Sequence, residues 1–446
     1  MASNELYRLT ACQVAAGTRS GSFTVEEYAK SLLAHIKERD DAVKAWAYLS
    51  PEQVLEQARQ LDKVPPEKRG PLHGVSVAVK DVIYTKDMPT QHNSPLYKDS
   101  NTGVDAGSIM IIRNAGALIL GKTATTEFAA TTEGPATCNP HDTSRTPGGS
   151  SSGSGAAVAD FQAAIALGTQ TGGSIIRPGS FNGIYALKPT WNAITREGQK
   201  IFSVILDTFG LYARSVGDLE LLADVLQLRD DSPPFPGSGG QLELRGARLA
   251  FVKTVVWDGF VEPGTESAMA RAVELLRAHG AEVEEIEFPE ELKALPKWHM
   301  VVFRTDGRTA FLPDYLVAKD QVHEQLHEHV ENVHKHTHAE QLEAFDRMAA
   351  ARPIADALLS KYDAVLTPSV PGEAPVGLKS TGSAIFQLIW TALHVPIINL
   401  PGFQGENGMP VGISVVAPRY RDRKLLAASR SIGKILAEEG GWKSGL

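Results

Sequence analysis

Residues 74–81 read Gly-Val-Ser-Val-Ala-Val-Lys-Asp, and this short segment indicates what kind of fold the chain adopts. The segment is rich in β-branched residues, which predicts a strand that ends on Lys80 and Asp81. A second buried strand is predicted at residues 117–120, between Gly116 and Gly121. A lysine that ends an apolar strand is a candidate for chemistry.

Helices and strands alternate on either side of this segment. Thr24 and Glu27 have the spacing of a helix-capping box and precede an amphipathic run. Further on, the strand-like residues 249–252 and 282–286 flank an amphipathic helix around residues 272–276. This β-α-β order is typical of a parallel or mixed sheet covered by helices. We therefore predict an α/β fold, an α/β/α sandwich with a large mixed central β-sheet covered by helices on both faces.

The chain shows no internal repeat, and one unit over residues 1–446 fits better than separate domains. Its predicted core spans residues 70–220. Residues 229–240, rich in Asp, Pro and Gly, are predicted as a surface linker between two lobes of the sheet, or as a long excursion from it. Residues from about 290 to 382 are predicted to shape the substrate pocket.

Composition narrows the range of partners. With a formal net charge of −8 and no basic run, the chain lacks the clustered positive charge of a nucleic-acid or membrane surface. Only Cys12 and Cys138 are present, too few for a disulfide framework. The polar N-terminus and the absence of a long apolar stretch favour the cytoplasm. We expect a small-molecule partner and no cofactor or metal; a homodimer is compatible with these features.

The densest chemical signal is a Ser/Gly-rich pair of segments, TPGGSSSGSG at residues 146–155 and GTQTGGS at residues 168–174. Such runs are usually flexible linkers. Here solvating charges are absent and apolar residues follow, as in a buried loop. Glycine loops let backbone N–H groups hold an oxyanion, and a serine there needs a base. Lys80, desolvated at a strand end, could be that base, or it could be a structural ion-pair lysine.

Several ordered segments resemble the amidase signature family, over most of the chain. They are GVSVAVKD at 74–81, LGKTATTEFA at 120–129, RTPGGSS at 145–151, TQTGGS at 169–174, LKPT at 187–190, ARSV at 213–216, LTPS at 366–369, VPIINLPG at 395–402 and PVG at 410–412.

The resemblance implies a Ser–cis-Ser–Lys mechanism for hydrolysis of a carbon–nitrogen amide bond. Ser174 would attack the amide carbonyl and form an acyl-enzyme, which water then hydrolyses. Ser150, after a cis peptide bond, would relay the proton between Ser174 and Lys80. Backbone N–H groups of residues 171–173 (Thr171, Gly172 and Gly173), with that of Ser174, would form the oxyanion hole. The other serines of the run, at positions 151, 152 and 154, are interpreted as loop structure.

Arg177 follows the predicted nucleophile by three residues, a spacing similar to that of malonamidase-like members of the family. In those members the resemblance implies that the arginine binds a substrate carboxylate, and a planar, always-charged guanidinium suits that role. The alternative is a structural ion pair beside the site. If Arg177 binds substrate, the substrates are short amides with a free acid.

The sequence is also compatible with two other functions. A glutamine-dependent amidotransferase subunit would have the same fold and would need a partner to receive ammonia. A zinc-dependent hydrolase is suggested by His323-Glu324-Gln325-Leu326-His327, which matches the H-E-x-x-H pattern on a predicted helix. Six histidines crowd between positions 323 and 338, in polar surroundings, so a solvated helical face explains that pattern better.

Overall fold

The computed structural model describes residues 3–235 and 240–446, so positions 236–239 of the predicted linker lie outside the described residues. Its strands are β1 Trp46–Leu49, β2 Ser76–Lys80, β3 Leu118–Thr123, β4 Ile165–Gln170, β5 Tyr185–Lys188, β6 Thr208–Ala213, β7 Arg248–Val252, β8 Glu282–Ile286, β9 Ala364–Pro368, β10 Ile397–Gln404 and β11 Pro410–Val416.

The helices surround these strands along the chain. They are α1 Ala11–Ser20, α2 Val25–Val43, α3 Pro51–Asp62, α4 Gly107–Asn114, α5 Ser152–Ala159, α6 Ile176–Phe181, α7 Val216–Val225, α8 Trp257–Phe260, α9 Pro263–Ala278, α10 Glu290–Lys293, α11 Leu295–Ala310, α12 Leu312–Ala318, α13 Glu324–Val330, α14 His338–Leu359, α15 Ile385–Ala392 and α16 Asp422–Glu439. Short 3₁₀ helices lie at Ser3–Arg8, Pro66–Lys68, Pro95–Tyr97, Glu127–Ala129 and Lys319–Gln321.

One mixed sheet contains all eleven strands of the described residues, in the order β1-β3-β2-β4-β6-β5-β10-β11-β9-β7-β8. The pairs β2–β3, β2–β4, β7–β8 and β7–β9 are parallel, and the other pairs are antiparallel. Every residue of β2, β3, β4 and β6 is buried, which requires cover on both faces of the sheet. The predicted α/β/α sandwich is therefore confirmed.

The predicted elements appear within a few residues of their expected positions. The segment at 74–81 forms β2, which ends on Lys80 as predicted, and the run at 117–120 lies within β3. The later β-α-β unit is β7, α9 and β8, with the two strands parallel. Strands on both sides of the Pro-rich segment belong to one sheet, since β6 precedes that segment and β7 follows it.

The region around residues 290–382 is more than a helical insertion. It holds α10 to α14, and it ends with β9, which pairs with β11 and β7 inside the central sheet. Helix α11 packs against α14 and α15. No helix of the described residues has the length and apolar character that crossing a membrane requires.

Two neighbouring parallel strands bring the Ser/Gly segments and the strand lysine together. β2 pairs with β4 in parallel, with Val77 opposite Ile165 and Val79 opposite Leu167. The carboxyl ends of both strands therefore lie at one edge of the sheet, where α/β folds commonly place their ligand sites. Lys80 is the last residue of β2, and the second Ser/Gly segment begins within β4 and continues past its end.

Candidate active site

Lys80 is fully buried, and its amine contacts the first Ser/Gly segment directly. Its Nζ lies 2.8 Å from Ser150 Oγ and 2.8 Å from Thr169 Oγ1, with Thr169 O at 3.4 Å. No carboxylate of the described residues lies within ion-pair distance of this amine. The structural ion pair that the sequence left open for Lys80 is therefore not found there.

Burial controls the protonation of this amine. Desolvation lowers the pKa of Lys80 well below the ordinary value of a lysine, the nearby Asp207 opposes this shift, and Arg177 adds to it. A neutral amine has a lone pair that can accept a proton, as a general base requires. The position next to Ser150 Oγ makes that hydroxyl the first group that the amine can deprotonate.

Ser150 lies in the loop before α5, and the peptide bond between Gly149 and Ser150 is cis, as the resemblance implied. Helix α5 begins at Ser152, so the second half of the Ser/Gly run is helical and fully buried. Ser152 Oγ is buried and has no hydrogen-bond partner among the described residues. The run is a packed structural element, and the flexible-linker interpretation is wrong.

Ser174 follows the glycine loop that continues from β4. Its side chain lines a cavity of about 300 Å³ together with Ser150 and Arg177. Its carbonyl oxygen accepts a hydrogen bond from Tyr212 Oη at 3.1 Å, whereas its Oγ has no hydrogen-bond partner among the described residues. A serine hydroxyl that faces a cavity and is not engaged elsewhere is available as a nucleophile.

The glycine loop presents free backbone N–H groups beside Ser174. The N–H groups of Thr171, Gly172, Gly173 and Ser174 donate no hydrogen bond within the described part of the chain. All four residues line the cavity. At Gly173 an added Cβ would lie 3.0 Å from the Cβ of Ala384, so only glycine allows α15 to approach this closely. Unengaged N–H groups beside a cavity are what an oxyanion hole requires.

The loop is held in place by side chains that the sequence analysis did not single out. Thr171 Oγ1 donates to Asp207 Oδ1 at 2.7 Å, and Thr391 Oγ1 donates to the Gly172 carbonyl at 2.7 Å. His299 Nε2 lies 2.8 Å from the Thr171 carbonyl oxygen. Burial raises the pKa of Asp207 to about 6. His299 lies in a region where the sequence offered no motif, so no local signal pointed to it.

Arg177, on α6, is almost fully buried in the cavity wall. Its Nε and Nη2 donate to the Gly149 carbonyl at 3.2 and 2.6 Å, and its Nη1 donates to the Gly382 carbonyl. No acidic side chain of the described residues forms an ion pair with it. Burial lowers the pKa of Arg177 to about 10, so the group is cationic at neutral pH. Three of its five N–H donors are used, and two remain.

The remainder of the cavity wall is largely apolar. It is formed by the 3₁₀ segment and turn near residue 129, by α11 and by the start of α15. The side chains include Ala129, Ala130, Met300, Phe303, Ala384, Ile385 and Leu388. The cavity therefore combines one buried cation, a glycine loop with free N–H groups and largely apolar walls.

The H-E-x-x-H segment has a different arrangement from a zinc site. His323 precedes α13 as its N-cap residue, and its Nδ1 accepts from the backbone N–H of Gln325 at 3.2 Å. Its Nε2 lies 3.1 Å from Glu133 Oε2, while His327 Nε2 lies 2.9 Å from the Lys319 carbonyl. The two imidazoles therefore engage different parts of the chain. In the described ranges no cluster of three or more His, Cys, Asp or Glu residues could hold a metal ion.

Comparison with known proteins finds relatives over most of the chain. The Amidase family model matches residues 27–426. A glutamyl-tRNA(Gln) amidotransferase subunit of Thermobifida fusca is 38% identical over 313 residues, 67% of this chain and 63% of that protein. The protein of the same name from Salinispora tropica is 32% identical, over 97% of this chain and 98% of its own length. A crystal structure of an amidase superposes with a TM-score of 0.85 and 29% identity, covering 97% of this chain and 100% of that one.

Proposed function

Because this chain belongs to the amidase family and is an amide-hydrolysing enzyme, we propose that it acts through an acyl-enzyme on Ser174. Ser150 is the proton relay and Lys80 the general base. The observation that carries the proposal is the 2.8 Å contact between the buried, unpaired Lys80 amine and Ser150 Oγ. That contact places an amine whose pKa burial lowers in series with a hydroxyl, at the wall of the cavity that Ser174 also lines.

Acylation is the first chemical step of the proposed mechanism. Ser174 Oγ forms a bond to the carbonyl carbon of the bound amide, and its proton passes to Ser150 Oγ. The hydroxyl proton of Ser150 moves to the lone pair of Lys80 Nζ. The carbonyl oxygen gains negative charge, which the N–H groups of residues 171–174 stabilise. A donor lost from such a site typically lowers kcat by about 10²- to 10³-fold.

Collapse of the tetrahedral adduct reverses the proton path. The carbon–nitrogen bond breaks as the proton on Lys80 returns through Ser150 to the leaving nitrogen, so the products are an amine and an ester on Ser174. Water then attacks the ester carbonyl, giving up its proton along the same relay. The new carbon–oxygen bond replaces the ester bond, and Ser174 regains its proton as the acid departs.

Arg177 supports a narrower proposal about the substrate. A buried cation without an acidic partner is costly, and an anionic ligand would compensate it. Two unused N–H donors on a planar guanidinium fit a carboxylate. The cavity of about 300 Å³ suits a short chain. We therefore propose short amides that carry a free carboxylate as substrates.

Replacing Arg177 with glutamine tests this narrower proposal. For a short carboxylate-bearing amide, kcat/KM is expected to fall by about 10- to 100-fold more than for the matching neutral diamide, since a charge-assisted hydrogen bond contributes about 1.5–3 kcal/mol. The comparison is made between two substrates on one variant. Arg177 also holds the Gly149 carbonyl, and loss of that contact would lower the turnover of both substrates equally. Equal losses on the two substrates would therefore contradict the carboxylate proposal.

A second candidate is the glutamine-cleaving subunit of an amidotransferase. The relatives that carry the name of a glutamyl-tRNA(Gln) amidotransferase subunit support this candidate over a stand-alone enzyme. The chemistry at Ser174 would be the same, with the side-chain amide of glutamine as substrate and ammonia passed to a partner. Glutamine also carries a carboxylate, so Arg177 suits both candidates.

The two candidates differ in what the purified chain does alone. A stand-alone amidase releases ammonia from a panel of short amides without a partner, and native mass measurement shows one kind of chain. An amidotransferase subunit prefers glutamine, and its turnover rises when a partner from the source cell is supplied. Turnover of short amides at rates far above those with glutamine would contradict the second candidate.

Treatment with excess EDTA is expected to leave amide turnover unchanged. The proposed steps use the hydroxyls of Ser174 and Ser150 and the amine of Lys80, and none of them requires a metal ion. Ammonia release is measured before and after chelation and dialysis. A loss that added zinc restores, and that His323→Ala reproduces, would favour the zinc-dependent hydrolase instead.

A further inference from the structure

The carbonyl of Thr171 accepts a hydrogen bond from a histidine on a helix that is distant in sequence. His299 lies on α11 with no exposed surface, and its Nε2 is 2.8 Å from the Thr171 oxygen. A carbonyl oxygen only accepts hydrogen bonds, so Nε2 carries the hydrogen and donates it. Burial lowers the pKa of His299 to about 4, and the ring is therefore neutral at neutral pH.

The other ring nitrogen of His299, Nδ1, has no hydrogen-bond partner among the described residues. In a neutral ring with a hydrogen on Nε2, Nδ1 carries a lone pair, and this atom is buried without a partner among the described residues. An unsatisfied buried polar atom destabilises a fold, so a core position would be better filled by an apolar side chain. The hydrogen bond from Nε2 to the Thr171 carbonyl is the only side-chain hydrogen bond that this histidine makes among the described residues, and leucine, of similar volume, would lack it.

Peptide geometry connects this bond to the oxyanion hole. The Thr171 carbonyl and the Gly172 N–H belong to one planar trans peptide unit, and they point in opposite directions. Fixing the carbonyl on His299 therefore fixes the direction of the Gly172 N–H. The same relation links the Gly172 carbonyl, held by Thr391 Oγ1, to the N–H of Gly173.

We propose that His299 and Thr391 are positioning residues that aim the Gly172 and Gly173 N–H groups at the developing oxyanion. The inference rests on the proposed acyl-transfer function at Ser174, and it assigns a role to the region around residues 290–382 beyond shaping the pocket. Met300 and Phe303 of the same helix line the cavity. Helix α11 thus provides part of the cavity wall and also a hydrogen bond that holds the glycine loop before Ser174.

Substitutions with and without a donor test the proposal. His299→Leu fills a similar volume without a donor, whereas the side-chain amide of His299→Gln reaches about as far as Nε2. With a short amide that wild type hydrolyses, His299→Leu is expected to lower kcat by about 10- to 100-fold with KM within about threefold, because the lost alignment acts only in the transition state. His299→Gln is expected to recover most of kcat.

A second residue and a control separate positioning from folding. Thr391→Val is expected to repeat the kcat loss, and Thr391→Ser, which keeps the hydroxyl, is expected to remain near wild type. His35 also places its Nε2 against a main-chain carbonyl, that of Asp160 at 2.6 Å, at the end of α5 remote from Ser150. His35→Leu controls for the loss of such a bond elsewhere, and thermal melting is recorded for every variant.

A covalent probe provides a readout that does not depend on knowing the substrate. A fluorophosphonate ester bonds to a serine oxygen with loss of fluoride, and its phosphoryl oxygen occupies the oxyanion hole. Labelling is followed by intact mass and is expected to slow in His299→Leu and Thr391→Val, but not in His35→Leu. The inference would be overturned if His299→Leu and Thr391→Val both kept wild-type labelling and kcat. It would also be overturned if His299→Gln lost as much activity as His299→Leu. Failure of wild type to label at Ser174 would overturn the proposed function instead.

Discussion

Replacing Ser174 with alanine is expected to lower kcat on an amide substrate by about 10⁴- to 10⁶-fold, the range seen when a nucleophile is removed from a serine hydrolase. The variant keeps the contact between Lys80 and Ser150, but the relay then has no hydroxyl to activate beside the free N–H groups. Ammonia release measures the loss. Intact mass after fluorophosphonate treatment should show one adduct on wild type and none on the variant.

Ser152→Ala is the matched control for this substitution. It removes one oxygen from a buried serine of the neighbouring Ser/Gly segment, and that oxygen has no hydrogen-bond partner among the described residues. Deleting a partnerless hydroxyl has little cost, so turnover within about threefold of wild type is expected. Wild-type turnover by Ser174→Ala would contradict its role as nucleophile. An equal loss in Ser152→Ala would show that the effect is not specific to Ser174.

Replacing Lys80 with methionine is expected to lower kcat by about 10²- to 10⁴-fold, the usual contribution of a general base. Methionine has nearly the volume of the buried lysine and no amine. Because the amine is already desolvated and lacks an acidic partner, its removal should change the melting temperature by only a few degrees. Activity and stability therefore separate in this variant.

The pH profile gives Lys80 a second, independent signature. A base acts in its neutral form, so kcat/KM should rise with pH through the pKa of Lys80 and then level off. Since burial lowers that pKa well below the ordinary lysine value, the rise should be complete well before the ordinary value of 10.5. The rise should be absent in Lys80→Met. Retention of wild-type rate and pH profile by that variant would contradict the assignment.

The parts of the site that could be predicted from sequence are those that neighbouring residues determine. The valine-rich run predicted β2 and placed Lys80 at its end, and the Ser/Gly motifs singled out Ser150 and Ser174. These features depend on local propensity and short spacing. The burial of α5 was harder to predict, because its Ser and Gly residues are also those of linkers.

The hydrogen bonds that hold the glycine loop before Ser174 could not be predicted in the same way. His299 meets Thr171 across 128 positions of sequence, and Thr391 meets Gly172 across 219. Periodicity within a helix shows which face is apolar, but it does not show which distant carbonyl that face meets. The location of β9 inside the sheet was missed for the same reason, since strand order depends on pairing between remote segments.

The sheet order also determines when this protein can finish folding. β10 and β11 lie in the middle of the sheet, between β5 and β9, although of the described strands they are the last two to be synthesised. Until they are synthesised, β5 and β9 each expose an unpaired edge, the kind of surface through which nascent chains aggregate. Interrupted synthesis before Ile397 would therefore release two unjoined half-sheets rather than a smaller enzyme.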